Sequence, residues 1–334
     1  MRFGVEDLPA AKRFLWPALP EVPRYEYAGQ LLGQENFPLA DSARPHGVKK
    51  ALWWAIGLDP ETGLRKSEKR IELVRPQSGA VDAKGRILVT DIGLQGIMVF
   101  DAGAGKLSVW EQATQFVHFN TPVGIAIGPE GRVLVTDAEL GKVFVLSSEG
   151  EPISEFGGEE LVRPTGIARD PKSGTVYVAD TRTHDIKVFD DQGKLLNKIG
   201  GPGTEPGQFN SPTHIAFANG RLYVSDTLNA RIQSFDTDGK PLLNFGQRGI
   251  QVGNLVRPKG VAVDKDDNIY VIESFHDYLL IYDGSGEFLL PIGGTGKKIG
   301  QFYLPGGVWT DNQERIFVAD MFNGRVVVFR FLGD

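Results

Sequence analysis

Two sets of side chains in this sequence could do chemistry. Five histidines stand at His46, His118, His184, His214 and His276, and an acid recurs at Asp91, Asp137, Asp180, Asp226, Glu273 and Asp320. Imidazoles grouped with carboxylates can hold a divalent cation or act as general bases. His214 stands out, because in SPTHIAF it fills the place held by Gly124, Gly166, Gly260 and Gly307 in similar stretches. His184 and His276 sit in the turns that follow Asp180 and Glu273. Each acid closes an apolar run, and two readings compete for it. The six could form an anionic ring suited to a cation or a basic partner. Alternatively, each accepts hydrogen bonds within its own turn, as Asp does wherever a tight turn needs an acceptor. The turn reading is preferred, because every one of these runs ends in such a turn.

Other chemistries have no support. There is no helix-borne His pair, Gly-x-Ser-x-Gly elbow or phosphate loop, and GGPGTEPG at 200–207 joins two apolar runs rather than a strand and a helix. The chain has no cysteine, which rules out disulfides and thiolate metal sites. Its net charge is −6, so a broad phosphate-binding surface, and with it a nucleic-acid partner, is not expected. No stretch approaches the roughly 18 apolar residues of a membrane span. The opening MRFGVEDLPAAKRFLWPALP lacks the unbroken apolar core of a secretory signal, so either the protein is cytoplasmic or a leader was cleaved.

The elements that position these residues come from a repeat. Pro76, Pro122, Pro164, Pro212, Pro258 and Pro305 open six similar segments, spaced 46, 42, 48, 46 and 47 residues apart. Each continues through an Asp/Gly-rich turn to a β-branched run ending in the acid, as in GRILVTD, GRVLVTD, GTVYVAD and RIFVAD. Periods of this length built from four short strands mean propeller blades. The expected fold is therefore all-β, a six-bladed β-propeller of four-stranded antiparallel blades.

Five blades carry a fourth strand, such as KLLNKIG at 194–200, but the chain ends soon after the sixth blade's third strand. The missing strand is expected from RYEYAGQLL at 24–32, which would close the ring and remove its edges. Residues 1–23 are then an N-terminal extension, 33–75 an insertion, and 76–334 the six repeats, with 24–32 part of the same domain. Val48, Ala51, Leu52, Ala55 and Ile56 recur at helical spacing, predicting a short amphipathic helix over 47–57. Packing against the propeller is preferred for it over a membrane interface anchored by Trp53, Trp54, Lys49 and Lys50.

The pattern Pro-x-Gly-(Ile/Val)-Ala, then (Tyr/Leu)-Val-x-Asp, then Asn-x-Arg-Ile-x-x-Phe resembles the NHL repeat. SDTLNARIQSF carries it fully with Asp226, Asn229 and Arg231, and the sixth repeat has Asp320, Asn323 and Arg325. Blades one and two depart from it, with Leu94 and Gly96, then Leu140 and Lys142, in place of Asn and Arg. The block WPALPEVPRYEYAG before the helix resembles bacterial envelope proteins of six such repeats, often lipoproteins. That resemblance implies a periplasmic or envelope setting, with peripheral membrane attachment only through a lipidated leader that has been removed. The family resemblance implies binding more often than catalysis. A related six-bladed amidating lyase holds zinc on channel histidines, but here His214 is the single comparable residue.

Trp309 replaces the small residue found at Ala80, Ala126, Ala168, Ala216 and Ala262, beside a first blade where Gly79 replaces Ile or Val. The indole is expected to fill the volume left at Gly79, the alternative being a stacking surface in the channel. Together these readings favour a non-catalytic monomer that binds a protein or glycan on its loop face. The ligand-face candidates are His214, Asp226, Glu273, His276, Asp180, His184 and Trp309, and no resident cofactor is expected. The alternative is a metal-dependent lyase or lactonase-type hydrolase at the channel mouth, with one zinc or calcium ion and His214 as candidate ligand.

Overall fold

The second strand of each repeat reads as an unbroken apolar run because its sheet is covered on both faces by neighbouring blades. In the computed structural model, which describes residues 1–4, 13–38, 44–60, 63 and 70–333, every residue of Ile87–Asp91, Val133–Asp137, Val176–Asp180 and Ile269–Glu273 is buried. Outer strands lack that cover on one side, and four of the five residues in Leu195–Ile199 are exposed. The chain forms six sheets around a ring, and each blade runs antiparallel from an inner strand outward. The architecture is the six-bladed β-propeller expected from the repeat.

The inner strands are Pro76–Val81, Pro122–Ile127, Pro164–Arg169, Pro212–Ala218, Pro258–Val263 and Val308–Thr310. Five start with proline, and the proline pairs with the acid that ends the second strand, as Pro212 does with Asp226. The starts of the inner strands, the turns after the acids and the connections between blades therefore share one face of the ring.

The sixth blade is closed by the N-terminal segment. Strand β2 (Tyr25–Leu31) runs antiparallel to the last strand, Arg325–Phe331, with Tyr25 opposite Phe331 and Leu31 opposite Val326. A further short strand, β1 (Leu15–Trp16), lies outside β2. Trp16 packs edge-on against Phe329 at 5.4 Å, and Tyr25 tilts onto Phe331 at 5.2 Å. Closure thus adds hydrogen bonds and an aromatic cluster at the one seam that the chain must join across its ends.

Between blades the inner strands are held by hydroxyl groups. Thr90 donates to Val123 O (2.7 Å), Thr181 to Pro212 O (2.7 Å) and Thr227 to Pro258 O (2.8 Å), each reaching into the next blade. At the sixth-to-first seam Gln77 donates to Met321 Sδ at 2.8 Å, and an aromatic side chain fills the remaining space. Trp309 is buried and stacks on Phe317 at 5.4 Å, and a Cβ built on Gly79 would stand 2.3 Å from its ring. The indole occupies the space that the missing side chain leaves.

The insertion differs from expectation. Helix α1 (Val48–Ala55) forms, but none of its residues is buried, and Val48, Leu52 and Trp54 are 87%, 57% and 65% exposed. The part that docks is the Gln34–Asn36 turn, where buried Asn36 accepts from Leu32 N and Gly33 N and donates to Arg2 O and Gln30 O. Those four bonds, with the stacking of Phe37 on Phe100 at 6.3 Å, fix the start of the insertion, while Val48, Leu52 and Trp54 of the helix stay largely exposed.

Removing the indole should leave a cavity at the seam. Trp309→Ala is expected to lower stability by about 3–5 kcal/mol, read as a fall in the urea midpoint. Gly79→Ala should destabilise through the clash, and Trp309→Ala should be less costly in that background.

The loop face and channel mouth as candidate functional site

The six acids are fully or almost fully buried, and backbone amides surround them. Asp91 accepts from the N–H groups of Val74, Arg75, Gly93 and Leu94. Asp137 accepts from Asn120, Thr121, Glu139 and Leu140, and Asp180 from Val162, Arg163, Arg182 and Thr183. Glu273 takes Val256, Arg257, Phe275 and His276. In each case two donors belong to the segment entering the blade and two to the turn after the acid. A carboxylate holding four amides satisfies both segments in the absence of water.

Blades four and six solve the same problem differently. Asp226 accepts one amide, from Asn210, and then the side chains of Asn229 (2.8 Å) and Arg231 (2.7 Å). Asp320 accepts from Tyr303 N, Asn323 (2.7 Å) and Arg325 (2.7 Å). Each arginine also donates to the carbonyls of the entering loop: Arg231 to Thr204, Glu205 and Gln208, Arg325 to Lys298 and Gln301. Burial raises the Asp320 carboxyl above its usual range, against the pull of Tyr303 N–H, Asn323 and Arg325. Asp180 and Asp226 therefore have no surface with which to meet a ligand, whereas Glu273, though buried, borders a small cavity on the outer side of its blade.

The histidines divide. His184, in a left-handed turn position (φ 59°), accepts from Ser211 N at 2.9 Å through Nδ1 and braces the entry to blade four. His276 is partly exposed, with Nδ1 2.9 Å from Glu273 Oε2. His118 accepts from Gln112 at 3.1 Å near the edge of the ring, and His46 is exposed in the insertion. His214 is only 9% exposed, and neither ring nitrogen has a hydrogen-bond partner among the described residues. Burial, and then the charge of Lys259, lower its pKa to about 3.

Lys259, which the sequence analysis does not single out, stands beside His214. It follows Pro258 at the position of Gln77, Val123, Thr165, Thr213 and Gly306, at the start of the inner strand. Burial, and then the cation of Arg257, hold its ammonium below the usual range. The charge acting on His214 is that of Lys259 and the charge acting on Lys259 is that of Arg257, so two cationic side chains stand close together beside the imidazole.

Around it the turn tips are unequal. Two residues after the acid stand Gly93, Glu139 and Arg182 in the first three blades, but Leu228, Phe275 and Phe322 in the last three, each about half exposed. Tyr303 packs on Phe322 at 5.7 Å, and Phe275 on His276 at 4.9 Å. Trp309 does not join this face, since it lies in the seam. A cavity of about 280 Å³ opens at the opposite end of the inner strands, lined by Asn219, Asp264, Tyr270, Asp311 and Arg315. There Asp264 is bonded to Tyr270 and Asn268, and Asp311 to Arg315.

A family model described as a 6-bladed beta-propeller matches residues 170–244 and 208–289. No curated protein matches the chain. Among solved structures, a gluconolactonase from Xanthomonas campestris is 14% identical, with 91% of this chain and 98% of that one covered at a TM-score of 0.60. Virginiamycin B lyase from Staphylococcus aureus is 17% identical over 78% and 96%, at 0.56. An auxiliary nutrient binding protein from Bacteroides thetaiotaomicron is 13% identical over 78% and 70%, at 0.61. At these identities the likeness is one of fold.

The buried imidazole carries a pH signature. His214 stays neutral in the folded chain down to pH about 3 but takes a proton near pH 6.5 when unfolded. The unfolded chain then binds more protons between these values, so this group's contribution to stability falls as pH drops from about 6.5 to about 3. His214→Phe is expected to flatten that limb in urea melts taken across the window.

Proposed function

We propose that this chain is a non-catalytic binding protein whose ligand sits on the loop face over blades four to six. The observation that carries this is the pairing of the Lys259 cation, beside the buried His214, with the exposed Leu228, Phe275 and Phe322. Scattered apolar residues on a surface need no explanation, but three at one register position of successive blades mark a contact zone. The partner is a protein or other organic ligand that brings apolar groups and a carboxylate. A bare glycan fits less well, since it offers no anion to Lys259.

The six carboxylates at the ends of the second strands are taken up by backbone amides or by Asn and Arg side chains, which disfavours a role for them in acid-base chemistry at the channel. A divalent cation at His214 would meet the Lys259 ammonium, which disfavours the alternative of a metal-dependent lyase or lactonase. The Asp–Asn–Arg networks of blades four and six support assigning the repeats to the NHL type, and an envelope location belongs to the same reading.

The test uses 4-phenylbutyrate and its uncharged counterpart 4-phenylbutanol in calorimetric titrations. The acid should bind, more weakly as salt rises, and the alcohol should not. Lys259→Met should lower affinity at least about tenfold, equivalent to ~1.4 kcal/mol, and Phe275→Ser with Phe322→Ser should weaken it further. Equal binding of acid and alcohol, or indifference to Lys259→Met, would overturn the proposal.

A further inference from the structure

Three inter-blade loops have the same length and the same backbone bonds. Before blade four, Gly203 N donates to Phe209 O, Gln208 N to Glu205 O and Phe209 N to Gly201 O. Before blade five, the pairs are Gly249 N to Leu255 O, Asn254 N to Gln251 O and Leu255 N to Gln247 O. Before blade six, they are Gly296 N to Phe302 O, Gln301 N to Lys298 O and Phe302 N to Gly294 O. The three loops are therefore one structure repeated, and the residue facing each can be compared directly.

In blades four and six that residue is Arg231 or Arg325, whose guanidinium joins the blade's buried acid to the loop carbonyls. In blade five the register puts Tyr278 in its place, and Leu280 where Gln233 also donates to Gln208 O. The tyrosine does not refill the slot: its hydroxyl lies toward Gly294, 3.9 Å from where a Cβ there would stand. What remains is a cavity of about 150 Å³ lined by Ile250–Asn254, Glu273, His276, Tyr278 and Leu280. By register, the carbonyls of Ile250, Gln251 and Asn254 correspond to the three that Arg231 binds. The carboxylate beneath them is Glu273, whose negative charge, after burial, helps to raise the pKa of nearby Tyr282.

We propose that this cavity is a guanidinium-binding slot, open to an arginine side chain of a partner protein or to a free guanidino compound. Planar donors matched to a carboxylate and a row of carbonyls suit a guanidinium better than an ammonium. Blades four and six show the same recognition performed within the chain. The slot does not rest on the ligand reading given above, since neither Lys259 nor the turn-tip aromatic residues Phe275 and Phe322 line it.

The probes are agmatine, the blocked peptide acetyl-Gly-Arg-Gly-amide, and butylamine as the ammonium control. Agmatine or the peptide should bind in calorimetry and shift the His276 imidazole resonances, and butylamine should do neither. Tighter binding of the peptide than of agmatine identifies a protein partner as the source, and the reverse a small molecule. Tyr278→Arg supplies the guanidinium from within, so it should abolish binding and raise the melting temperature, while Lys259→Met leaves binding intact. No binding of either guanidino probe, butylamine binding equally well, or binding that survives in a folded Tyr278→Arg chain would overturn the proposal. Should that variant not fold, the His276 shifts in the native chain decide the matter.

Discussion

A carboxylate sealed away from water is costly unless its lone pairs are filled, and this ring contains six of them at equivalent places. Each lies where the chain entering a blade, the blade's second strand and the following turn converge. Without the carboxylate, the amides of Val74 and Arg75, or Val162 and Arg163, would be buried with no acceptor. The positions of the loops on the upper face follow from this one contact. So does the placement of the inner strands, since the proline that opens five of them lies directly across from the acid.

The two ways of filling the carboxylate divide the ring. Blades one, two, three and five use four amides, whereas blades four and six use Asn and Arg side chains and extend the network into the loop carbonyls. The apolar tips Leu228, Phe275 and Phe322 occupy the half of the face that contains both Arg networks and the unfilled slot between them. The same half carries Lys259 and His214, so cationic and apolar surface coincide there.

Much of this was legible in the sequence, because spacing and alternation are local signals. The proline period, the acid closing each second strand and the RYEYAGQLL segment fixed blade number, strand number and closure. The Gly79–Trp309 complementarity was also readable, since both departures stand at aligned positions of adjacent blades. The direction in which a side chain's environment differs was not. His214 was noticed for its type, but its lack of partners and its proximity to Lys259 depend on the inner strands of the adjacent blades four and five lying side by side. Helix α1 had the spacing of a packed helix, yet the docking contacts belong to Asn36, whose role no periodicity marks. The slot in blade five needed the loop hydrogen bonds before the change from Arg to Tyr278 acquired a meaning.

The account separates from a catalytic one most directly in the metal content of the protein purified without chelators, measured for the native chain and for His214→Ala. It predicts no stoichiometric divalent metal in either, because the carboxylates are taken up by amides or by Asn and Arg side chains and the Lys259 ammonium stands beside His214. One equivalent of zinc or calcium in the native chain, lost in His214→Ala, would contradict it and make the channel mouth a metal centre.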